Sequence, residues 1–144
     1  FTLSPKLRAA LKNAAKRGVK VEIMLSVKSD IPLPPDCGYY NAHKLMKDGC
    51  TIWLFEPGFH HTKIILVDGN FCTIGSANLN ARSLRWDREV NAVIVDKEVT
   101  KELDTIFESQ KKRCFKLTEK KWNEWRTPWQ KLKGKLGFLL SPFL

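Results

Sequence analysis

His61-Thr62-Lys63-Ile64-Ile65-Leu66-Val67-Asp68, followed after six intervening residues by Gly75-Ser76-Ala77-Asn78, is the stretch around which this 144-residue chain is organised. Its spacing is H-x-K-x4-D-x6-G-S-x-N. Ile64 to Val67 is an apolar run and Phe71 to Ile74 a second, separated by the turn signal Asp68-Gly69-Asn70. The pair reads as a β-hairpin. With Gly69 and Asn70 as the two turn residues, Asp68 faces Phe71, Lys63 lies opposite Ser76 and His61 opposite Asn78. Side chains alternate between faces along a strand, so His61, Lys63, Ser76 and Asn78 are expected on one face and Asp68 on the other. An imidazole, an ammonium, a hydroxyl and an amide together suit a phosphate. The cation and the donors hold its oxygens, and a neutral imidazole can attack phosphorus or carry protons.

Outward from the motif, His60 is out of register with Lys63 and is expected to be a bystander. His43 is expected in a helical or core role. A chain of this length buries one modest core and forms one domain by size. It opens at Phe1 without a methionine and reads as a fragment or processed form. No apolar run approaches the ~18 residues of a membrane span, which reads as a soluble or peripheral chain. Cys37, Cys50, Cys72 and Cys114 are widely spaced with no C-x-x-C pair. Reduced, buried thiols are therefore expected rather than a disulfide or a zinc site. No metal or cofactor is implied.

In chain order, Ser4-Pro5 supplies an N-cap and a first-turn proline. Leu7, Ala10, Leu11, Ala14 and Ala15 form a helical apolar face, and Gly18 is the stop. Val21, Ile23 and Leu25 alternate with Lys20 and Glu22 as in a strand. Residues 31–35 are a proline-rich loop, Tyr39 to Lys47 a helix ended by Gly49, and Thr51 to Phe55 a short strand. Beyond the motif, Leu79 to Arg88 reads as irregular, Glu89 to Val95 as a strand, and Asp96 to about Phe115 as a helix. Helices lying between strands argue for an α/β sandwich with a mixed β-sheet flanked by helices.

The motif resembles the HKD motif of the phospholipase D superfamily, agreeing at six polar or glycine positions across 18 residues. Within that superfamily the chain is similar to the C-terminal catalytic half of bacterial cardiolipin synthases, along nearly its whole length. Lys6 to Leu25 resembles the family's leading helix and R-G-V-x-V strand, and Phe55 to Lys63 its P-G-x-x-H-x-K approach. Gly75 to Asn91 is similar to G-[ST]-A-N-L-D-x-R-S…N-x-E-V-N, and the ending 129–144 to the family's C-terminus. Asn80 stands in place of an aspartate, Asp87 of an asparagine, Arg88 of an aromatic residue and His60 of an apolar one. The resemblance implies a phospholipase D-like half-domain at 1–115. It also makes Glu89 the carboxylate partner of His61, fixing the imidazole tautomer.

Charge is concentrated at the end of the chain. Residues 111–144 hold ten Lys or Arg against two Asp or Glu, whereas residues 1–110 hold 15 against 13. Trp122, Trp125 and Trp129, then Phe138, Leu139, Leu140 and Phe143, interleave with these basic residues. Such a tail, at 116–144, suits an anionic membrane surface, each charge being worth about 1 kcal/mol there. Basic-aromatic segments also bind nucleic acid, and many basic tails are merely solvated. The membrane reading is favoured, and nucleic acid is the lesser expectation.

The resemblance implies metal-free, two-step phosphatidyl transfer between two phosphatidylglycerol molecules through a phosphohistidine, giving cardiolipin and glycerol. Lys63 and Asn78 would stabilise phosphoryl oxygens, Ser76 orient His61 or the phosphate, and Asp68 brace the hairpin. As the second motif of a two-motif chain, this one makes His61 the general acid/base. The expected partners are an N-terminal half bearing the other motif, or a second copy. The expected place is peripheral, on the cytoplasmic face of a bacterial membrane. The alternative is a single-motif homodimeric phosphodiesterase or nuclease of the same superfamily.

Overall fold

The computed structural model describes residues 1–28 and 36–140. The proline-rich loop expected at 31–35 lies outside the described residues, as does Phe143. The first helix, α1 (Pro5–Lys16), starts as its sequence directs, Ser4 Oγ accepting from the Leu7 amide at 3.3 Å with Pro5 opening the helix. There follow β1 (Glu22–Ser26), α2 (Asp36–Lys47), β2 (Thr51–Phe55), and the hairpin strands β3 (Ile64–Val67) and β4 (Phe71–Gly75). Next come α3 (Ala81–Arg85), β5 (Asn91–Val95), α4 (Lys97–Lys111), β6 (Cys114–Lys116), α5 (Glu119–Trp125) and α6 (Pro128–Leu140).

Among the described residues the strands form two three-stranded sheets rather than one. The first, ordered β1-β2-β6, is mixed, with β1 parallel and β6 antiparallel to β2. The second, ordered β3-β4-β5, is wholly antiparallel. Helix α4 lies against β2 and β6 of one sheet and against all three strands of the other. At its C-terminal end, Lys111 Nζ meets Glu22 Oε1 and Glu108 Oε1, each at 2.8 Å, and lies 4.9 Å from the Trp53 ring. Burial alone would raise the Glu22 carboxyl, but hydrogen bonds from Lys111, Lys20 and Trp53 hold it down at about 2.

The core sits on the first sheet. Ile52 and Leu54 of β2 are fully buried with Ala42 and Leu45 of α2, and Leu3, Leu117 and Trp122 close around them. Burying such side chains is worth roughly 1.5–3 kcal/mol each. Cys37, Cys50 and Cys72 are buried, Cys114 is half-buried, and all four cysteines are free.

Three elements differ from the sequence reading. The helix expected to run from Asp96 to Phe115 ends at Lys111, and Cys114-Phe115-Lys116 cross back as β6 beside β2. The segment 79–88, read as irregular, holds the short helix α3, capped by Asn80 Oδ1 on the Ser83 amide at 2.7 Å. Residues 116–144 do not begin as a free tail, because the expected boundary falls inside β6. Trp122 is buried and stacks on His43 at 4.3 Å, and half-buried Trp125 packs edge-on to Tyr39 at 4.8 Å. Of the three tryptophans, Trp129 alone is exposed.

Candidate active site

The hairpin forms, but one residue out of the expected register. Val67 pairs with Phe71 and Ile64 with Ile74, so Asp68, Gly69 and Asn70 all belong to the loop. Asn70 N–H donates to the Val67 carbonyl at 3.2 Å, with Asp68 at φ 49° and Gly69 at φ 66°. Left-handed backbone is open to glycine and tolerable for aspartate, which makes Asp-Gly suited to this loop. Lys63 consequently lies opposite Gly75, not Ser76, and the Gly75 amide donates to the Lys63 carbonyl at 3.2 Å.

Ser76 is held instead by the segment before β5. Its amide donates to the Val90 carbonyl at 3.0 Å, and its hydroxyl accepts from the Val90 amide at 3.0 Å. The same hydroxyl donates to Glu89 Oε2. Glu89 is thus the partner of Ser76, and no hydrogen bond joins it to His61, contrary to expectation. Hydrogen bonds from Ser76 and Ser83, helped by the charge of Lys63, hold the Glu89 carboxyl below its ordinary value. Lys63 Nζ donates to the His61 carbonyl at 2.8 Å, and the His61 ring rests 4.9 Å from that of Phe59. With Lys63 opposite Gly75, strand pairing alone does not bring Ser76 and Asn78 to the face of His61 and Lys63 as expected. His61, Ser76 and Asn78 are exposed, and Lys63 and Glu89 are half-buried. Asp68 is exposed at the hairpin tip, five residues and roughly 16 Å along the strand from Lys63.

Two features explain parts of the motif that spacing left without a reason. A methyl group at Gly75 would overlap the Val90 carbonyl oxygen and the Asn91 side chain, so β4 and β5 need glycine there to close. Asn91 in turn accepts from the Ala77 amide through Oδ1 at 3.1 Å, holding the chain just past Ser76. Ser83, absent from the expected site, is buried at the start of α3 and bonds Glu89. The sequence signal for it is the Asn80 cap three residues earlier.

Three of the four departures from the family pattern have partners in the structure, and nothing in it explains Arg88. Asn80 caps α3, a task asparagine performs as well as aspartate. Asp87 Oδ1 meets Arg82 Nε at 3.0 Å. His60 packs against Phe55, its ring nitrogen 2.7 Å from Gln110 Oε1, while its amide donates to Ser26 Oγ at 3.1 Å. It serves the joint between the sheets rather than the rim. His43 is buried against Trp122 with Nε2 2.8 Å from Glu119, and burial is the chief cause lowering its pKa. Among the three histidines, His61 has the open position from which a ring nitrogen can reach a ligand.

This arrangement of sheets and helices is shared with solved structures of the phospholipase D class. The phospholipase D family member Nuc from Salmonella typhimurium superposes with a TM-score of 0.71 at 18% identity, over 81% of this chain and 76% of that one. Phosphatidylserine synthase from Haemophilus influenzae does so at 0.66 and 17%, over 99% of this chain and 38% of that one. At such identities the likeness speaks of fold alone. The sequence narrows it: residues 1–111 match the family described as cardiolipin synthase, PLD-like domain, and the chain belongs to that family. Cardiolipin synthase 1 of Staphylococcus epidermidis is 38% identical over 135 residues, 94% of this chain and 27% of that protein. The minor cardiolipin synthase ClsB of Bacillus subtilis is 37% identical over 141 residues, 98% of this chain and 35% of that protein. The chain spans between about a quarter and a third of the length of these relatives.

Proposed function

We propose that this chain is the C-terminal catalytic half of a cardiolipin synthase, transferring a phosphatidyl group from one phosphatidylglycerol to another with release of glycerol. The observation that carries this reading is the identity to cardiolipin synthases along 94–98% of the chain, with every position of the motif filled. A histidine of the other half attacks phosphorus as the glycerol oxygen departs, and His61 supplies that oxygen's proton. His61 then takes the proton of the second phosphatidylglycerol's hydroxyl as this oxygen attacks phosphorus and frees the histidine. Splitting one displacement into two lowers each barrier. Lys63 and Asn78 stabilise the phosphoryl oxygens, while Ser76 and Glu89 form a bonded pair beside them that orients the site. Asp68 supports the hairpin loop.

One motif supplies one histidine, and the two-step reaction uses two on opposite sides of phosphorus. The other comes from an N-terminal half of the same polypeptide or from a second copy. The assembled enzyme works peripherally on the cytoplasmic face of a bacterial membrane, which the 116–144 segment helps it meet. The test is cardiolipin formation from phosphatidylglycerol vesicles, with mass determined by size exclusion on the same sample. The isolated monomer should give no product, and the polypeptide carrying both motifs should give cardiolipin and glycerol in equal amounts. Robust cardiolipin formation by a proven monomer would overturn the half-site reading.

A further inference from the structure

Helix α6 has two apolar faces, and one is used inside the molecule. Its inner face packs on α2, where Gly134 lies against the Asp36 carbonyl and Tyr40, Gly137 against Cys37, and Phe138 5.4 Å from the Tyr40 ring. Arg126, buried just before the helix, is paired with buried Asp36 at the start of α2. The helix is therefore seated closely.

Its outer face carries Trp129, Leu132, Leu136 and Leu139, which are 64%, 45%, 51% and 60% exposed. At 3.6 residues per turn these four fall within an arc of about 80°. Lys133 lies about 40° beyond one edge of that arc and Lys135 about 40° beyond the other. Both are exposed, and the Lys133 ammonium lies 5.6 Å from the Trp129 ring centre. No acidic residue occurs after Glu124. An apolar stripe edged on both sides by lysines, one of them over an indole, has the form of a helix lying in the headgroup layer. At 13 residues it is about 20 Å long, and no helix among the described residues is long and apolar enough to cross a membrane.

We infer that the outward stripe of α6, Trp129-Leu132-Leu136-Leu139 with Lys133 and Lys135, is the surface by which the chain docks on an anionic lipid bilayer. This deepens the membrane reading of residues 116–144 and is independent of the chemistry proposed for His61. It reassigns the contact, because Trp122 and Trp125 are committed to the interior and only one of the three tryptophans faces outward. An acidic protein surface would satisfy the lysines as well, but a stripe one side chain wide and open along the helix asks for a fluid apolar layer beneath charged headgroups.

The test uses the 144-residue chain with vesicles of phosphatidylglycerol and phosphatidylcholine, and with vesicles of phosphatidylcholine alone. Sedimentation should show binding to the anionic vesicles, at least ~10-fold weaker binding to neutral ones, and release by salt because screening acts within about 10 Å at 0.1 M. The double variant Leu132→Gln, Leu136→Gln should bind at least ~10-fold more weakly while keeping the parent's circular dichroism and thermal midpoint. Lys133→Glu with Lys135→Glu should abolish the preference for anionic vesicles. Brominated lipid should quench the emission of the parent chain and lose most of that effect on Trp129→Phe. His61→Ala should bind vesicles like the parent, so failure of catalysis and failure of docking are read separately. Equal binding to neutral vesicles, loss of binding in His61→Ala, or full binding by the leucine double variant would overturn the inference. So would a dimer that the double variant dissociates, since a second copy would then own the stripe.

Discussion

The two sheets of this domain are built from strands of similar length and similar apolar content, yet they have opposite fates. In β1-β2-β6 the central strand is enclosed, with Ile52 and Leu54 fully buried. In β3-β4-β5 Cys72 is buried on one face, but the opposite face shows Ile65, Val67, Val93 and Val95 between 41% and 69% exposed. Register confirms that these belong to one face, since Ile65 lines up with Thr73 and Val93, and Val67 with Phe71 and Val95. The closed sheet carries the stability and the half-open one carries the candidate chemistry. Three exposed valines and an isoleucine on one sheet face make an apolar patch of the kind that serves interaction.

The sharpest way to break this comparison is at the rim of the open sheet. In the polypeptide bearing both motifs, His61→Ala should lower phosphatidyl transfer by at least the ~10²–10⁴-fold of a lost general acid/base, with the thermal midpoint unchanged. His60→Ala should keep most activity, because its ring bonds Gln110 away from the rim. Comparable losses in the two would mean that the wrong histidine has been chosen.

Next in size is the closed sheet. Leu54→Ala should cost about 2–5 kcal/mol in urea unfolding, whereas Val93→Thr on the open face should stay within about 0.5 kcal/mol. Equal losses would erase the distinction between the sheets. Gly75→Ala should fall between them, at about 1–3 kcal/mol from overpacking. It should raise hydrogen exchange at the Ser76 and Val90 amides before it affects β2.

The smallest effect is acid sensitivity at the joint between the sheets. Glu22 is held at about 2 in the folded chain, below its unfolded value. Its contribution is complete above pH ~4.3 and is lost as pH falls toward 2. Urea midpoints at pH 5 and pH 3 should therefore differ, and Lys111→Met should shrink the difference. His43, whose pKa burial lowers, adds a second loss that begins higher, as pH falls below its unfolded value near ~6.5 and the unfolded chain takes up the proton first. Glu22→Gln should remove the lower window and leave this one.

Much of this was legible in the chain. The hairpin, the α1 cap and the α/β class all follow from spacing and turn chemistry. The register did not, because Ile64 to Val67 is apolar at every position and offers no alternation to fix which residue faces which. Asp68-Gly69-Asn70 closes equally well as two turn residues or three. The strand β6 was hidden by its three-residue length and by the basic run before it. Pattern does not separate Trp122 and Trp125 from Trp129, because basic residues interleaved with aromatics look alike whether the aromatic side faces lipid or core. The pairing of Glu89 with Ser76 depends on how β4 meets the segment before β5, a contact between elements that local pattern does not encode.

The close seat of α6 on α2 also has a genetic reading. A saturation scan along this helix should give a sharply periodic tolerance map. Position 134 should reject every side chain, since even a methyl meets the Asp36 backbone, and position 137 should accept alanine only where Cys37 can yield. Positions 132, 136 and 139 should accept polar residues freely in any screen that reads folding. They should become restrictive in a screen that reads growth dependent on the enzyme. The difference between those two maps would separate what the helix does for its own molecule from what it does for the cell.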